Sequence, residues 1–413
     1  NLESDFTQFE RNTLDSCIQF IISECDSAAL VLPATYKLSV DAGHGDLGRA
    51  TKGSALALKS RVLLYAASDL FNDPSWASSY GFADIEFISL PQDTKTRQDR
   101  WTEAAEAAYE VIKLSPTYYN LQQASSGIDG YAYLFRSNNY NSPEIIFARR
   151  YGSDNRFERI NYPIGFNGGE SGNTPLGNLV DQYEYIEPIF NDAIEFSWTE
   201  YKQYGDNPFD PDRRDPRMKH SIIVNNSLFK GGLNVAREVE IWTGGIDGKG
   251  VPDADLDLLK NERSTHTWIL IRFGEILLNY AEAVNSFSGP TGMLPGSGLT
   301  AHAALRQVRN RAGIATLSQS KYNQESMGKA IRHERQVELA FEGHRLWDVR
   351  RWMIAPDALG SPAMGVDIKQ ENDTTWTYTP IEVEKRKWED KMYFFPLPQV
   401  DLQIAGWIQN PGW

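Results

Sequence analysis

Long apolar runs are missing from this chain. No stretch of its 413 residues approaches the roughly 18 consecutive apolar residues that a bilayer-spanning helix requires. Cysteine is scarce as well, with only Cys17 and Cys25. If FERNTLDSCIQFIISECDSAALVLP is one helix, the two lie ~12 Å apart along its axis, whereas a disulfide needs Cα atoms ~4.4–6.8 Å apart. Both are expected as buried thiols. The sequence opens at Asn1 with neither a methionine nor a basic-plus-apolar leader, which reads as mature or trimmed material. LDSC at 14–17 superficially resembles a lipid-attachment site, but acidic and polar residues precede it where an apolar segment should stand. Positive charge is in deficit: 41 Lys and Arg against 55 Asp and Glu give a net charge of −14. That argues against nucleic acid and against docking on anionic headgroups, and it tolerates neutral ligands such as sugars.

The motifs of common chemistries are also missing. His333-Glu334 is followed at the fifth position by Val337, where a zinc protease needs its second histidine. GGIDGKG ends in Gly250 where a phosphate loop needs Ser or Thr, and Thr243 stands where its first glycine should be. GESGN at 169–173 ends in asparagine and is no nucleophile elbow. DADLD at 253–257 alternates acids, yet Leu258 replaces the glycine of a calcium loop. It reads as a solvated acidic turn, with a fortuitous cation site as the alternative. RRDPRM at 213–218 reads as a turn fixed by Pro216, leaving Arg217 to pair with an acid. None of this calls for a cofactor or a metal.

What is present is helical and comes in pairs. TKGSALALKSRVLLYAASDLF (51–71) and WTEAAEAAYEVIKLS (101–115) form the first pair, with Ala104, Ala108, Val111 and Ile112 at helical spacing and Thr102 as N-cap. WILIRFGEILLNYAEAVNSF (268–287) and LTAHAALRQVRNRAGI (299–314) form the second. From Trp268 to His302 is 34 residues, the period of a tetratricopeptide hairpin. Residues 116–260 differ, being rich in Gly, Asn, Asp, Ser and Pro with scattered aromatics. Ser221-Ile222-Ile223-Val224 suggests a hairpin, and loop on this scale inside a folded chain is usually functional. The chain thus divides into a helical part (1–115), a loop-rich part (116–260), a second helical part (261–355) and a closing segment punctuated by prolines (356–413). The expected fold class is mainly α: tetratricopeptide-like hairpins packed on an irregular region with a few short β-hairpins.

Residues 334–352, ERQVELAFEGHRLWDVRRW, gather glutamates and arginines on one helical-looking stretch. Read as a continuous helix, Val337, Ala340, Phe341, His344 and Trp347 form one apolar stripe, with Leu339 and Leu346 opposite. A helix apolar on two sides is sandwiched between neighbours, and Gly343 would let one backbone come close. Glu338 and Glu342 have the spacing a glycosidase would use. Arg335 lies three residues before Glu338 and Arg345 three after Glu342, so both acids gain a guanidinium that lowers their pKa values. The stretch therefore reads as an internal ion-pair strut that includes Asp348, with an acid/base pair as the rival reading.

In this order, GRATKGSALALKSRVLLYAASDLF, WILIRFGEILLNYAEAVNSF, ALRQVRNRAGI, IRHERQVELAFEGHRLWDVRRW and YFFPLPQVDLQIAGWIQNPGW resemble the SusD/RagB family of Bacteroidetes outer-membrane nutrient-binding lipoproteins. The resemblance runs from about residue 45 to the end. It is strongest at Glu334, Arg335, Glu338, Leu339, Phe341, Glu342, Gly343, Arg345, Asp348 and Arg351, which that family uses as scaffold. It implies tetratricopeptide-like hairpins beside a loop-rich ligand face. It also implies capture of oligosaccharide or polysaccharide at the cell surface, delivery to a SusC-like TonB-dependent transporter, no catalysis, and membrane association through a lipid anchor that this sequence lacks. Family members carry a further N-terminal portion, and the chain reads as starting after it.

No family motif fixes the ligand residues, so they are argued from chemistry. Sugars offer CH-rich faces and hydroxyl edges, and are held by exposed aromatics beside amides and charged groups on loops. Tyr151, Tyr162, Phe166, Trp198, Tyr201 and Trp242, with Arg156, Asn161 and Asn167, supply both; Trp76 and Tyr80 make a second cluster. Core packing is the competing fate of each aromatic, and at least two are expected to face the ligand. Two other functions stay open: a tetratricopeptide-type adaptor for proteins, and a glycoside hydrolase with two loop carboxylates in one cleft.

Overall fold

The structure, a computed structural model, describes residues 10–36, 48–125, 129–135, 140–163, 168–186, 193–203, 205–225, 228–229, 233–234, 240–241, 267–316, 318–372 and 375–413. It is mainly helical with short antiparallel strand pairs. Helices Leu14–Val31, Lys52–Ala67 and Arg97–Ile112 pack in succession, and the last lies against Phe273–Ser288. Helices Ala301–Arg311 and Gln324–Glu338 close the bundle on the far side of Phe273–Ser288.

Local sequence sets these elements. Thr51, Thr96, Thr300 and Asn323 each accept from a backbone N–H of the first turn, and three of them form reciprocal boxes with Ser54, Asp99 and Ser326. Thr102, expected as the cap of the second helix, lies inside it; Thr96 caps because Asp99 stands at the position that returns the bond. Small residues at the crossings let the helices nest: Ala57, Ala67, Ala105, Ala108, Ala281 and Ala304 interleave with Leu64, Leu277, Leu278 and Leu305 in one buried cluster. No described helix is long and apolar enough to cross a membrane.

Several expectations need correction. WILIRF does not begin a helix: Thr267–Arg272 is a strand paired antiparallel with Ile145–Arg150, and the helix begins at Phe273. The β-branched Ile269 and Ile271 alternate inward, which suits a half-buried ribbon. The 34-residue spacing from Trp268 was therefore counted from a strand. Ile222–Ile223 pairs with Glu240–Ile241, a longer-range partner than a tight hairpin gives. Residues 363–384 hold a hairpin, Ala363–Gln370 with Trp376–Glu384, where only an irregular close was expected. Cys25 is buried but Cys17 is exposed, and both are free, as the helix geometry requires. The Asp253–Asp257 turn and GGIDGKG lie outside the described residues.

The stretch 334–352 is two helices and not one. The first ends at Glu338 and the second runs from Arg345 to Arg351. Between them Phe341 (φ 65°) and Gly343 (φ 82°) adopt left-handed backbone that no α-helix can contain. Gly343 serves this turn and not a close approach, since a Cβ placed there would meet nothing within 4 Å. The two-sided burial expected of the whole stretch holds for Glu334–Leu339; Leu346 and Trp347 are exposed.

Candidate functional site

The glutamates of this stretch were the one catalytic candidate, and they are dry. Glu334 and Glu338 are fully buried. Arg217, from the short helix Pro216–Ser221, donates to Glu334 (2.5 Å) and to Glu338 (2.8 Å) and also holds Asp215 (2.7 Å). Arg272, at the end of its strand, donates to Glu144 and Glu338 (both 2.7 Å) and grips Glu342 with two bonds of 2.8 Å. Arg311 bonds Glu144 (2.7 Å) and Glu338, and Arg309 bonds Glu334 (3.1 Å). The expected pairings within the stretch are thus replaced by arginines from other elements. The turn at 339–344 explains why, because it carries Glu342 back towards Arg272. Arg345 makes no ion pair among the described residues, and Arg335 instead donates to Asp348 (3.1 Å) and Asn279 (2.7 Å). Asp348 also accepts from Arg351, which clamps Glu282 at 2.5 and 2.8 Å.

Electrostatics within the cluster is uneven. Burial alone would raise the Glu338 carboxyl, but Arg311, Arg272 and Arg217 reverse this and hold it at about 2. Glu342 goes the other way and is raised, because burial, with Glu338 and Glu144 nearby, outweighs Arg272. The expectation that its guanidinium would lower it fails for that reason. Glu338, ringed by three arginines and sealed from water, can neither lend a proton nor attack a substrate.

The nominated ligand residues scatter. Tyr162 is fully buried, and Trp76 and Tyr201 are core residues with no face to offer. Asn161 is buried and donates to the Phe157 carbonyl. Trp198 is half-buried, with its indole N–H on Asp181 at 3.0 Å. Tyr80 is exposed but leans on the closing segment, where its hydroxyl accepts from the Lys391 N–H. Arg156 is exposed at the start of a short helix. Phe166, Asn167 and Trp242 lie outside the described residues. Tyr151 is 42% exposed and has company.

That company is the free end of the Ile145–Arg150 and Thr267–Arg272 ribbon. Arg272 anchors the other end in the ion cluster, and the Phe273 N–H donates to the Glu144 carbonyl, so the ribbon stands on the bundle. Residues directly opposite across an antiparallel pair share a face. Arg149 faces Trp268, so these two, with Tyr151 and Leu270 two residues along, crowd one side. Trp268 is 40% exposed, and the Arg149 guanidinium lies 4.7 Å above the Tyr151 ring. Arg150 faces Thr267 on the other side. There it lies 4.3 Å over the Tyr140 ring and lines a cavity of about 40 Å3 with Thr35, Tyr36, Arg49, Thr51 and Tyr119. Trp268, Arg149, Arg150 and Tyr140 were not nominated. The β-branched Ile269 and Ile271 were the available signal, obscured by the helical run that follows.

A family model described as SusD family matches residues 143–413, well over half the chain. The chain belongs to the SusD family. Within it, a SusD-like protein, P25, of Formosa agariphila is 25% identical over 342 residues, a match spanning 76% of this chain and 58% of that protein's length. A SusD-like protein of Bacteroides fragilis is similar in structure along the whole chain and 74% of its own, with a TM-score of 0.72 at 24% identity. A second protein of that organism, described as a SusD-like carbohydrate binding protein, gives a TM-score of 0.67 at 20% identity, covering 96% of this chain and 72% of its own. At these identities the structural likeness is one of fold. The ordered motifs thus pointed to the right family.

Proposed function

We propose that this chain is a non-catalytic glycan-binding protein of the outer-membrane surface, which captures oligosaccharides and hands them to a SusC-like TonB-dependent transporter. The observation that carries the reading is the ribbon end, where Trp268, Tyr151 and Arg149 crowd one exposed face and Arg150 lines a cavity on the opposite face. Exposed aromatic rings offer the flat apolar surface on which a pyranose stacks, and the arginines offer bonds to its edge. Solved family members described as a SusD-like carbohydrate binding protein and as surface glycan-binding protein A support the assignment. The sealing of Glu338 and Glu342 by arginine speaks for binding over hydrolysis.

Calorimetry against a panel of oligosaccharides, with tryptophan fluorescence in parallel, tests the binding step. Saturable binding with a change in tryptophan emission is expected, and silence across the panel rejects it. Affinity capture from solubilised outer membranes tests the partner: a TonB-dependent transporter should be recovered with the chain.

A further inference from the structure

We propose that the glycan bound at this surface is anionic, with a carboxylate or sulfate substituent held by Arg150 over the cavity; this rests on the glycan-binding reading above. The chain as a whole carries a net charge of −14, yet the charge reverses at the ribbon end. Among the described residues that form the ribbon or line the cavity, Arg49, Arg149 and Arg150 are exposed. None of those residues is an exposed acid, and the neighbouring Glu144 is buried and already held by Arg272 and Arg311. A cationic spot on an acidic protein concentrates an anionic ligand there and repels it elsewhere.

The geometry of Arg150 fits this role. Its guanidinium lies on the Tyr140 ring and has no carboxylate partner among the described residues. Stacking uses the face of the guanidinium and leaves its N–H edge free, and that edge matches two oxygens of a carboxylate or sulfate. Arg149 is arranged the same way on Tyr151, on the opposite side of the ribbon. A site for a neutral sugar needs strong acceptors for hydroxyl protons, which carboxylates usually supply; among the described ribbon and cavity residues the exposed charged groups are all donors. The cavity volume of about 40 Å3 has room for about three or four water-sized groups, at roughly 10–15 Å3 each. That is the size of a charged substituent, so the sugar ring itself would remain outside.

Three oligosaccharides titrated into the chain at about 50 mM salt decide the matter: an oligogalacturonate, a carrageenan oligosaccharide and a maltooligosaccharide. At least one anionic sugar should bind about tenfold or more tighter than the neutral one, and the advantage should shrink several-fold at about 300 mM salt. Which of the first two wins tells carboxylate from sulfate ester. Arg150→Gln should remove about tenfold of that affinity, and Arg150→Lys, which keeps the charge without the planar fork, should fall between. Circular dichroism and Tm should be unchanged in both variants, since the side chain is exposed. If the neutral sugar binds as tightly as the others and Arg150→Gln changes nothing, glycan binding stands and the preference for anions is wrong. If no sugar binds at all, both readings fall.

Discussion

At the scale of single residues, the same side-chain type does opposite work in two places. Arg217, Arg272 and Arg311 are buried with their charges cancelled, whereas Arg149 and Arg150 lie exposed on tyrosine rings. Removing one member of a buried set leaves its partners charged and dry, which typically costs about 3–5 kcal/mol. Glu338→Ala is therefore expected to lower unfolding stability by about that amount in urea titration, since three arginines lose a partner at once. Trp268→Ala should do the reverse: about tenfold weaker glycan binding by calorimetry, roughly 1.4 kcal/mol, with Tm nearly unchanged. Residue by residue, the candidate site was only partly legible. Tyr151 could be named from composition and loop context, but Tyr162 and Trp76 have the same chemistry and are buried. A sequence carries no signal for which aromatic a fold turns outward.

At the scale of elements, the main bundle helices could be read because small and apolar residues recur at helical spacing, as with Ala104, Ala108 and Val111, whereas the one cap named from sequence, Thr102, was misplaced. Two boundaries could not be read. Strand Thr267–Arg272 runs straight into helix Phe273–Ser288, and a short apolar run such as Trp268–Ile271 looks the same in either conformation. The break after Glu338 depends on Phe341, a residue that seldom takes positive φ. Glycine marks both junctions in different ways. A Cβ at Gly274 would sit 2.6 Å from Arg272 Nη1 and 2.9 Å from Glu144 Oε1, so Gly274→Ala should push the ion cluster apart and cost about 1–3 kcal/mol. A Cβ at Gly343 meets open space, so Gly343→Ala should cost only the left-handed backbone penalty, about 1–2 kcal/mol. Parallel denaturation curves check both.

For the molecule as a whole, the buried charges dictate the response to acid. Burial raises Glu275, Glu338 and Asp348, but the surrounding cations reverse this and hold all three at about 2, against ordinary values of 4.5 or 3.8. Burial also holds His344 down at about 4, below its usual 6.5. In each case the unfolded chain binds the proton first, so stability rises with pH across the interval. His344 should begin to erode stability below about 6.5, and the carboxylates should remove several kcal/mol more between about 4.5 and 2. Glu342, whose carboxyl is raised, contributes with the opposite sign and only partly offsets the rest. A Tm measured from pH 7 to pH 3 should fall steadily; a flat profile would mean that these groups are wet.

The ion cluster also has a bearing on how the chain is made. Its cations, Arg217, Arg272, Arg309 and Arg311, all leave the ribosome ahead of Glu334, Glu338 and Glu342, which are half of the acids they pair with. A nascent chain that stops short of residue 334 has only Glu144, Glu184 and Asp215 to set against four guanidiniums, and so cannot seal its own middle. Premature termination before the last fifth of the message would yield a species that solvent and chaperones must shield, not a smaller working domain.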